Sequence, residues 1–270
     1  SVGGREMKRL IVLVAAALAV PGLATVPPPR CGAECLEGLA GRYMDALVSK
    51  RQGEVPWAKT VRYSENGVPM MIGDGLWGSV TAHGNKPLVV ADPWTGNVAW
   101  FGIVEEHGQP AFQAVRFKAD DAQLAEIEVM TRRKEGRPPF GDPASFTHDP
   151  AFSARLTAGD RSLRERMVAL VQGYFNSVAA NDGTVLTRFR PDCARVENGL
   201  VTTSGNFGLA KLASGCEAQL KAGLFRDVTG VRGLRFPVID EARGLVVATG
   251  VRDHNARAAT PTAADGRPLP

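Results

Sequence analysis

Apolar residues recur at helical spacing in two segments of the chain, one near its start and one past its middle. The first segment has its apolar positions at Leu36, Leu39, Ala40, Tyr43, Met44, Ala46 and Leu47. The second has them at Leu163, Met167, Leu170, Val171 and Tyr174. Because residues three and four apart share one face of an α-helix, each segment is predicted to form an amphipathic helix with one buried face.

Short segments rich in β-branched and aromatic residues follow each helix and predict strands. After the first helix they are residues 60–64, 68–72, 88–91, 98–105, 111–118 and 127–132; after the second they are 194–197, 200–203, 232–239 and 245–253. Asn66-Gly67, between the first two strands, is a strong signal for a hairpin turn. A helix followed by a run of strands, twice over, indicates an α+β fold class.

The two halves also repeat one local pattern. Tyr43 precedes Glu65-Asn66-Gly67 by 22 residues, and Tyr174 precedes Glu197-Asn198-Gly199 by 23 residues, counted to the glutamate. Arg62 lies near the first of these glutamates. Repetition at this spacing predicts two tandem copies of one fold.

The chain divides into five predicted segments. They are a signal peptide at 7–24, a first domain at 31–134, a linker at 135–160, a second domain at 161–255 and a disordered tail at 256–270. The linker is rich in Pro, Gly and small polar residues without a sustained period, and the tail is a mixture of Thr, Ala, Gly and Pro.

The pattern at residues 7–24 is that of a cleavable secretion signal. Lys8 and Arg9 precede the uninterrupted apolar stretch 10–20, and small residues lead up to Ala24. The stretch is shorter than the roughly 20 residues that span a bilayer, which disfavours the alternative of a transmembrane helix. We therefore expect export to the periplasm or the medium, with no membrane attachment after cleavage. Residues 1–6 precede Met7 and are left out of the fold prediction.

The composition is that of an ordinary globular protein, with 44% hydrophobic and 22% charged residues. The formal net charge of +4 is small for this length, and no basic run is interleaved with aromatic residues. Nucleic acid is therefore not an expected partner.

Four cysteines, Cys31, Cys35, Cys193 and Cys216, are an even number that can pair in an oxidising compartment. Three connectivities are open, and the simplest is local, Cys31 with Cys35 and Cys193 with Cys216. A metal site is the alternative, but no histidine stands at ligand spacing beside these cysteines, so no metal ion is expected.

Several motifs carry a resemblance to known families. They are Cys35-Leu36-Glu37-Gly38, Gly73-Asp74-Gly75-Leu76-Trp77-Gly78, Glu197-Asn198-Gly199 with Thr202-Thr203, Arg235-Phe236-Pro237-Val238, Asp240-Glu241 and Gly244-Leu245-Val246. The chain resembles the nuclear transport factor 2-like superfamily, with its ketosteroid isomerase-like and SnoaL-like members, over roughly residues 34–133 and 163–254. More narrowly, it resembles an uncharacterised secreted family of duplicated domains in fungi and bacteria.

This resemblance implies two tandem cone-shaped domains, each with an N-terminal helix packed on a curved antiparallel sheet. In the ketosteroid isomerase-like arrangement, a helix tyrosine faces a strand carboxylate across an apolar cone, and Tyr43 and Glu65 match that placement. An apolar cone raises the pKa of a carboxyl group toward working pH, so that Glu65 could act as a base with Tyr43 stabilising an oxyanion. The alternative is that Glu65 merely precedes a hairpin turn and Tyr43 is core.

Asp74 lies between two glycines and just before Trp77, so it is a second candidate base, with the indole stacking on an aromatic ligand. The alternative is a glycine-rich turn capped by the aspartate. Arg62 and Tyr63, beside Glu65, are further candidate ligand-binding residues.

Two more side chains complete the predicted ligand-binding set. Arg116 alternates with Phe112 and Ala114, so it either points into the cone toward an anionic or phenolic group or forms a salt bridge to a neighbouring strand. His254, at the end of the last strand, is either a general acid or base or an exposed histidine.

The sequence thus favours an exported small-molecule-binding protein, interpreted as a cofactor-independent lyase or isomerase acting on a small aromatic or polyketide-like compound. The alternative is a non-catalytic ligand-binding or interaction protein. No cofactor is expected, because no phosphate-binding loop or dinucleotide fingerprint is present. Cones of this kind often pair through the open sheet face, which also predicts a homodimer.

Overall fold

The computed structural model describes residues 31–84, 86–134, 140–205, 208–225 and 228–254. The predicted signal peptide at 7–24 and the predicted tail at 256–270 lie outside these residues. The predicted linker is described from residue 140 onward and contains one short 3₁₀ helix, Pro150–Ser153.

The first half begins with helix α1, Ala33–Ser49. All seven residues of its predicted apolar face are buried, which confirms this helix and its orientation. The chain leaves the helix at Lys50, whose left-handed backbone (φ 61°) lets its N–H donate to the Ala46 carbonyl.

Seven strands of the first half form one mixed sheet. They are β1 Trp57–Glu65, β2 Val68–Pro69, β3 Val80–His83, β4 Leu88–Asp92, β5 Asn97–Glu106, β6 Gln109–Asp120 and β7 Gln123–Arg132. The strand order is β2-β1-β7-β6-β5-β3, with β4 also paired to β5. Because β1 and β7 run parallel, the sheet is not purely antiparallel as expected. Register shifts in the β1–β7, β3–β5 and β6–β7 pairs bend the strands and curve the sheet.

The six strands predicted for this half all have counterparts, but the glycine-rich segment differs from the expectation. Predicted strand 68–72 shortens to β2, and the chain then turns through Gly73 and Gly75, both at positive φ. A one-turn helix, α2 Leu76–Ser79, and strand β3 follow, and neither was predicted.

The main hydrophobic core lies between α1 and the face of the sheet that we call the inner face. Alternate strand residues such as Tyr63, Trp100, Val115, Phe117 and Ile127 point into it. The opposite face, which we call the outer face, carries the residues between them.

The second half contains fewer and shorter elements. They are α3 Arg164–Ala180, β8 Val196–Glu197, β9 Leu200–Val201, a 3₁₀ helix Gly208–Lys211, α4 Cys216–Lys221, β10 Val228–Asp240 and β11 Leu245–His254. The predicted helix and all four predicted strands are therefore present. Within the described residues, however, these strands form only two two-stranded sheets, β8-β9 and β10-β11, so a second cone is not shown.

The β10-β11 hairpin packs on the outer face of the first sheet instead of closing a sheet of its own. Val238 of β10 is fully buried in a cluster with Val90 and Ala99. Asp92 is 1% exposed and accepts a hydrogen bond of 3.0 Å from the Ile239 backbone N–H. It also forms an ion pair with Arg164 of α3. The hairpin therefore covers the β4–β5 side of the outer face. The predicted homodimer was expected to form through this open sheet face, and it stays a prediction.

Both local disulfides are formed. Cys31 pairs with Cys35 at the start of α1, and Cys193 pairs with Cys216 at the start of α4, with Cα–Cα distances of 5.2 and 5.8 Å. These bonds confirm the simplest of the three connectivities. Among the described helices, none has both the length and the apolar character needed to cross a bilayer.

Candidate functional site

Two of the predicted catalytic residues, Tyr43 and Glu65, lie near Tyr63 on the inner face. The Tyr63 hydroxyl of β1 donates a hydrogen bond to Glu65 Oε1, and the Leu76 backbone N–H donates to the same oxygen at 2.8 Å. The Tyr43 ring of α1 packs against Trp77 at 5.4 Å, and burial together with the neighbouring charge of Glu65 raises the pKa of Tyr43. We call Tyr43, Tyr63, Glu65 and Trp77 the inner cluster.

The glycine-rich turn closes over this cluster. A Cβ on Gly75, where φ is +58°, would lie 2.5 Å from Glu65 Oε2. A Cβ on Gly73, where φ is +107°, would lie 2.7 Å from the Gln52 side-chain amide. Only glycine therefore allows the backbone to approach the Glu65 carboxylate so closely. Asp74, between the two glycines, is exposed.

Aromatic rings fill the space that the predicted cone was expected to offer a ligand. Tyr43 lies edge-on to three rings, with centroid distances of 5.0 Å to Phe117, 5.4 Å to Trp77 and 6.1 Å to Trp57. Trp77 is 2% exposed, so its indole packs in the core rather than at a pocket mouth. In this structure Tyr43 is enclosed by these rings, whereas Glu65 is half-buried beneath the glycine-rich turn.

Burial sets the protonation state of both tyrosines. Burial raises the pKa of Tyr43 well above its ordinary value, despite the opposing effect of the Tyr63 hydroxyl. Burial also raises the pKa of Tyr63, and the nearby Tyr43 and Glu65 raise it further. Both hydroxyls therefore stay protonated and can donate. The Tyr43 hydroxyl and the Trp77 indole N–H lie near each other. Both are buried, and neither is within hydrogen-bonding geometry of a partner.

A groove opens on the other side of the same strands. It has a volume of about 940 Å³ and lies between the outer face of β1, β6 and β7 and the β10-β11 hairpin. Its lining includes Arg62, Ser64, Arg116, Glu126, Glu128, Met70, Met130, Arg235, Thr249 and Val251. This volume falls in the range of about 300–1,000 Å³ that is usual for small-molecule sites.

Five charged side chains cross the groove floor in a continuous ladder. Arg62 pairs with Glu126, Arg116 donates to Glu126 at 2.7 Å and to Glu128 at 2.8 Å, and Arg235 donates to Glu128 at 3.0 Å. The cross-strand register explains the order, because Arg62 lies opposite Glu126 and Arg116 opposite Glu128. We call these five residues the charge ladder.

Arg116 corrects one of the sequence interpretations. It shares a strand face with Phe112 and Ala114 as predicted, but that face is the outer one, because Val115 and Phe117 occupy the core. Its salt bridges to Glu126 and Glu128 of the neighbouring strand are the alternative that the sequence left open. Arg116 therefore does not point into the cone.

The predicted ligand-binding residues thus separate into groups. Arg62, Arg116 and the largely buried Tyr63 line the groove, whereas Trp77 is in the core. His254 is exposed at the end of β11, paired with Val228, and lies apart from both regions. The described residues contain no cluster of three or more His, Cys, Asp or Glu side chains that could hold a metal ion.

The sequence interpretation missed Glu126, Glu128, Arg235 and Thr249. Alternation at residues 127–129 of β7 could have revealed Glu128, which stands between the buried Ile127 and Val129. It could not have revealed Glu126, because the register shift in the β6–β7 pair puts Leu124 and Glu126, two residues apart, on different faces. Arg235 belongs to one of the quoted motifs, but its contact with the first half depends on tertiary packing that no local pattern encodes.

The mirrored pattern in the second half is only local. Asn66-Gly67 and Asn198-Gly199 both turn at positive φ, with values of 48° and 82° in the first and 47° and 78° in the second. Glu197, however, forms a salt bridge with Arg195 at 2.5 Å, whereas Glu65 accepts a hydrogen bond from the Tyr63 hydroxyl. The two glutamates therefore have different surroundings.

Comparisons with known proteins cover only parts of the chain. A family profile described as "Domain of unknown function (DUF8021)" matches residues 160–267. No curated protein sequence matches.

Similar solved structures include nuclear transport factor 2-like proteins. A ketosteroid isomerase candidate from Kribbella flavida is 18% identical, covers 43% of this chain and 91% of its own, and has a TM-score of 0.30. A nuclear transport factor 2-like protein from Burkholderia xenovorans is 10% identical over 37% of this chain and 92% of its own, with a TM-score of 0.30. A polyketide cyclase candidate from Xanthomonas campestris is 14% identical over 36% of this chain and 90% of its own, with a TM-score of 0.29. These values indicate a likeness and assign no activity.

Proposed function

We propose that this is an exported small-molecule-binding protein whose ligand occupies the groove between the outer face of the sheet and the β10-β11 hairpin. The observation that carries the proposal is the difference in unoccupied volume between the two faces of the sheet. The inner cluster is filled by its own aromatic rings, whereas the groove is an open volume of about 940 Å³.

The walls of the groove support this choice. Apolar side chains border it at Met70, Met130 and Val251, and the last two are 47% and 44% exposed. Exposed apolar surface beside fixed polar groups is the usual composition of a ligand site, because the apolar area supplies affinity and the polar groups supply orientation. Export is part of the proposal, and two formed disulfides support it.

A fluorescence titration with the neutral dye N-phenyl-1-naphthylamine tests the proposal. Ser64 lies on β1 in the groove lining, so Ser64→Phe should fill the floor and lower the dye affinity at least about tenfold, equivalent to about 1.4 kcal/mol. Thr60→Phe is the matched control, because Thr60 is exposed on the same strand outside the lining.

The proposal predicts saturable binding that Ser64→Phe removes and Thr60→Phe leaves intact. Equal affinity in all three proteins would place the dye elsewhere and refute binding in the groove. Thermal melting of each variant shows whether a loss of affinity comes from a loss of fold.

A second candidate function is acid–base catalysis at the inner cluster, with Glu65 or Asp74 as the base and Tyr43 as the oxyanion partner. The observation that favours it is the pair of buried donors, the Tyr43 hydroxyl and the Trp77 indole N–H, that lack hydrogen-bond partners. A turnover screen of the mature protein against phenolic and polyketide-like compounds tests it. Consumption of a compound that Glu65→Gln or Asp74→Asn abolishes supports this candidate, and unchanged turnover in both variants argues against it.

A further inference from the structure

We infer that the groove selects amphipathic organic anions, with the acidic group bound at the charge ladder and the apolar body lying along the groove border. The inference rests on the proposed function and adds the chemical class of the ligand. Its basis is the charge balance of the groove, the spare donors at the two ends of the ladder and the apolar side chains beside them.

The charged residues in the lining do not balance. Three arginines, Arg62, Arg116 and Arg235, stand against two glutamates, Glu126 and Glu128, which leaves one positive charge in excess. Arg62 and Arg235, at the two ends of the ladder, are more than half exposed, so this excess acts on ligands in the groove and is weakened by salt. An anion bound there restores neutrality, whereas a cation adds to the excess.

The ladder has a saturated centre and open ends. Arg116, 6% exposed, donates to Glu126, Glu128 and, at 2.9 Å, to Asn97 Oδ1. The side chains of Arg62 and Arg235 are 79% and 55% exposed, and each pairs with a glutamate through Nη2. A guanidinium group has five N–H donors, so both end arginines retain donors for a carboxylate or sulfonate.

One further group near Arg235 lacks a partner. The Thr249 hydroxyl oxygen is buried in the groove lining and makes no hydrogen bond, and Thr249 lies directly opposite Arg235 in the β10-β11 ladder. The oxygen is covered in this structure, so it can donate to an anion on Arg235 only after a rotation of the Thr249 side chain. Buried unpartnered hydroxyls are uncommon, which marks this end of the groove as the expected head-group position.

The apolar border determines what accompanies the acidic group. Met130 and Val251 present exposed apolar surface next to the ladder, and Met70 adds to the border from the β1-β2 side. A small inorganic anion would leave this surface in water, so an acid with an apolar body gains more from the site.

Displacement of the dye N-phenyl-1-naphthylamine by three compounds with one body tests the inference. The compounds are 2-naphthoate, 2-naphthamide and 2-naphthylmethylammonium, which carry an anionic, a neutral and a cationic head. The naphthoate is expected to bind about tenfold more tightly than the amide, a difference of about 1.4 kcal/mol, and the ammonium compound is expected to bind most weakly. Raising the salt concentration should shrink these differences.

Variants assign the preference to the ladder. Arg235→Gln and, separately, Arg62→Gln should each lower naphthoate affinity about threefold or more while leaving the amide unchanged. Arg252→Gln is the control for net charge, because Arg252 is exposed on β11 outside the groove lining. It should leave both affinities unchanged.

The outcomes separate this inference from the function it rests on. Equal affinity for the three compounds, with dye binding still blocked by Ser64→Phe, overturns the anion preference and leaves groove binding in place. A preference that Arg252→Gln removes as fully as Arg235→Gln also overturns it, because the effect is then one of overall charge. If Ser64→Phe leaves the dye affinity unchanged, the proposed function itself is refuted.

Discussion

The two faces of one sheet differ sharply although they share the same strands. On β1, Tyr63 and Glu65 point to the inner face and Arg62 and Ser64 to the outer one. The inner face meets α1 and is filled by aromatic rings, whereas the outer face meets a two-stranded hairpin that covers it only in part. The space left open therefore depends on what packs against each face, and the predicted chemistry and the available volume lie on opposite sides.

Of the substitutions that test the difference between the two faces, Trp77→Ala is expected to change the free energy of unfolding most. Trp77 is 2% exposed and packs against Tyr43, so truncation should leave a cavity and lower the free energy of unfolding by about 3–5 kcal/mol. Chemical denaturation measures this change. Trp94→Ala is the matched control, because Trp94 is 74% exposed and its loss should cost less than about 0.5 kcal/mol. Similar small costs at both tryptophans would contradict a filled inner face.

A smaller effect is expected where the glycine-rich turn closes over Glu65. Gly75→Ala puts a Cβ against the Glu65 carboxylate at a backbone angle that L-residues rarely adopt, so the unfolding free energy should fall by about 1–3 kcal/mol. At Gly78, in α2, a Cβ would meet nothing within 4 Å, so Gly78→Ala should be neutral or slightly stabilising. If the two substitutions proved equally tolerated, the close approach of residue 75 to Glu65 would be wrong.

Helices α1 and α3 show what could and could not be predicted from the sequence. Helical spacing identified every buried residue of α1, because a 3.6-residue period directly encodes one buried face. The same reasoning applied to α3 predicted Leu163 and Leu170 as core, yet they are 74% and 36% exposed. That helix packs on a narrow hairpin, which covers less of its surface than a wide sheet would.

The candidate site was harder to predict than the elements. Tyr43 and Glu65 both lie near Tyr63 on the inner face, but the aromatic rings around Tyr43 come from β1, α2 and β6. The groove joins strands more than 100 residues apart in sequence, such as those of Glu128 and Arg235. Local periodicity carries no information on such long-range contacts, so the groove became visible only in the folded chain.

The smallest predicted effect concerns the charge ladder and depends on pH. Burial alone would raise the pKa of Glu128, but hydrogen bonds from Arg235 and Arg116 outweigh it and hold the pKa below the usual 4.5. A folded-state pKa below the unfolded value stabilises the fold above about pH 4.5, and this contribution disappears as the pH falls through the folded-state pKa.

Glu128→Gln should therefore lower the unfolding free energy by roughly 1 kcal/mol at pH 7 and by much less near pH 3. Urea denaturation at a series of pH values measures the difference. Glu37→Gln, at an exposed position on α1, serves as the control and should show no such dependence. A difference between wild type and Glu128→Gln that stays constant with pH would mean that the ladder does not hold the carboxylate as described.

Methyl NMR with ¹³C-labelled methionine, recorded during titration with 2-naphthoate, tests the location of the ligand most directly. Met130 lines the groove and Met44, fully buried on α1, lies in the core behind the inner face, so each methyl group reports on one face. Met167, in the second half outside the groove lining, is the remote reference. Binding in the groove predicts a saturable shift of the Met130 methyl signal while those of Met44 and Met167 stay in place. A shift of Met44 with Met130 unchanged would put the ligand inside the cone and contradict the account.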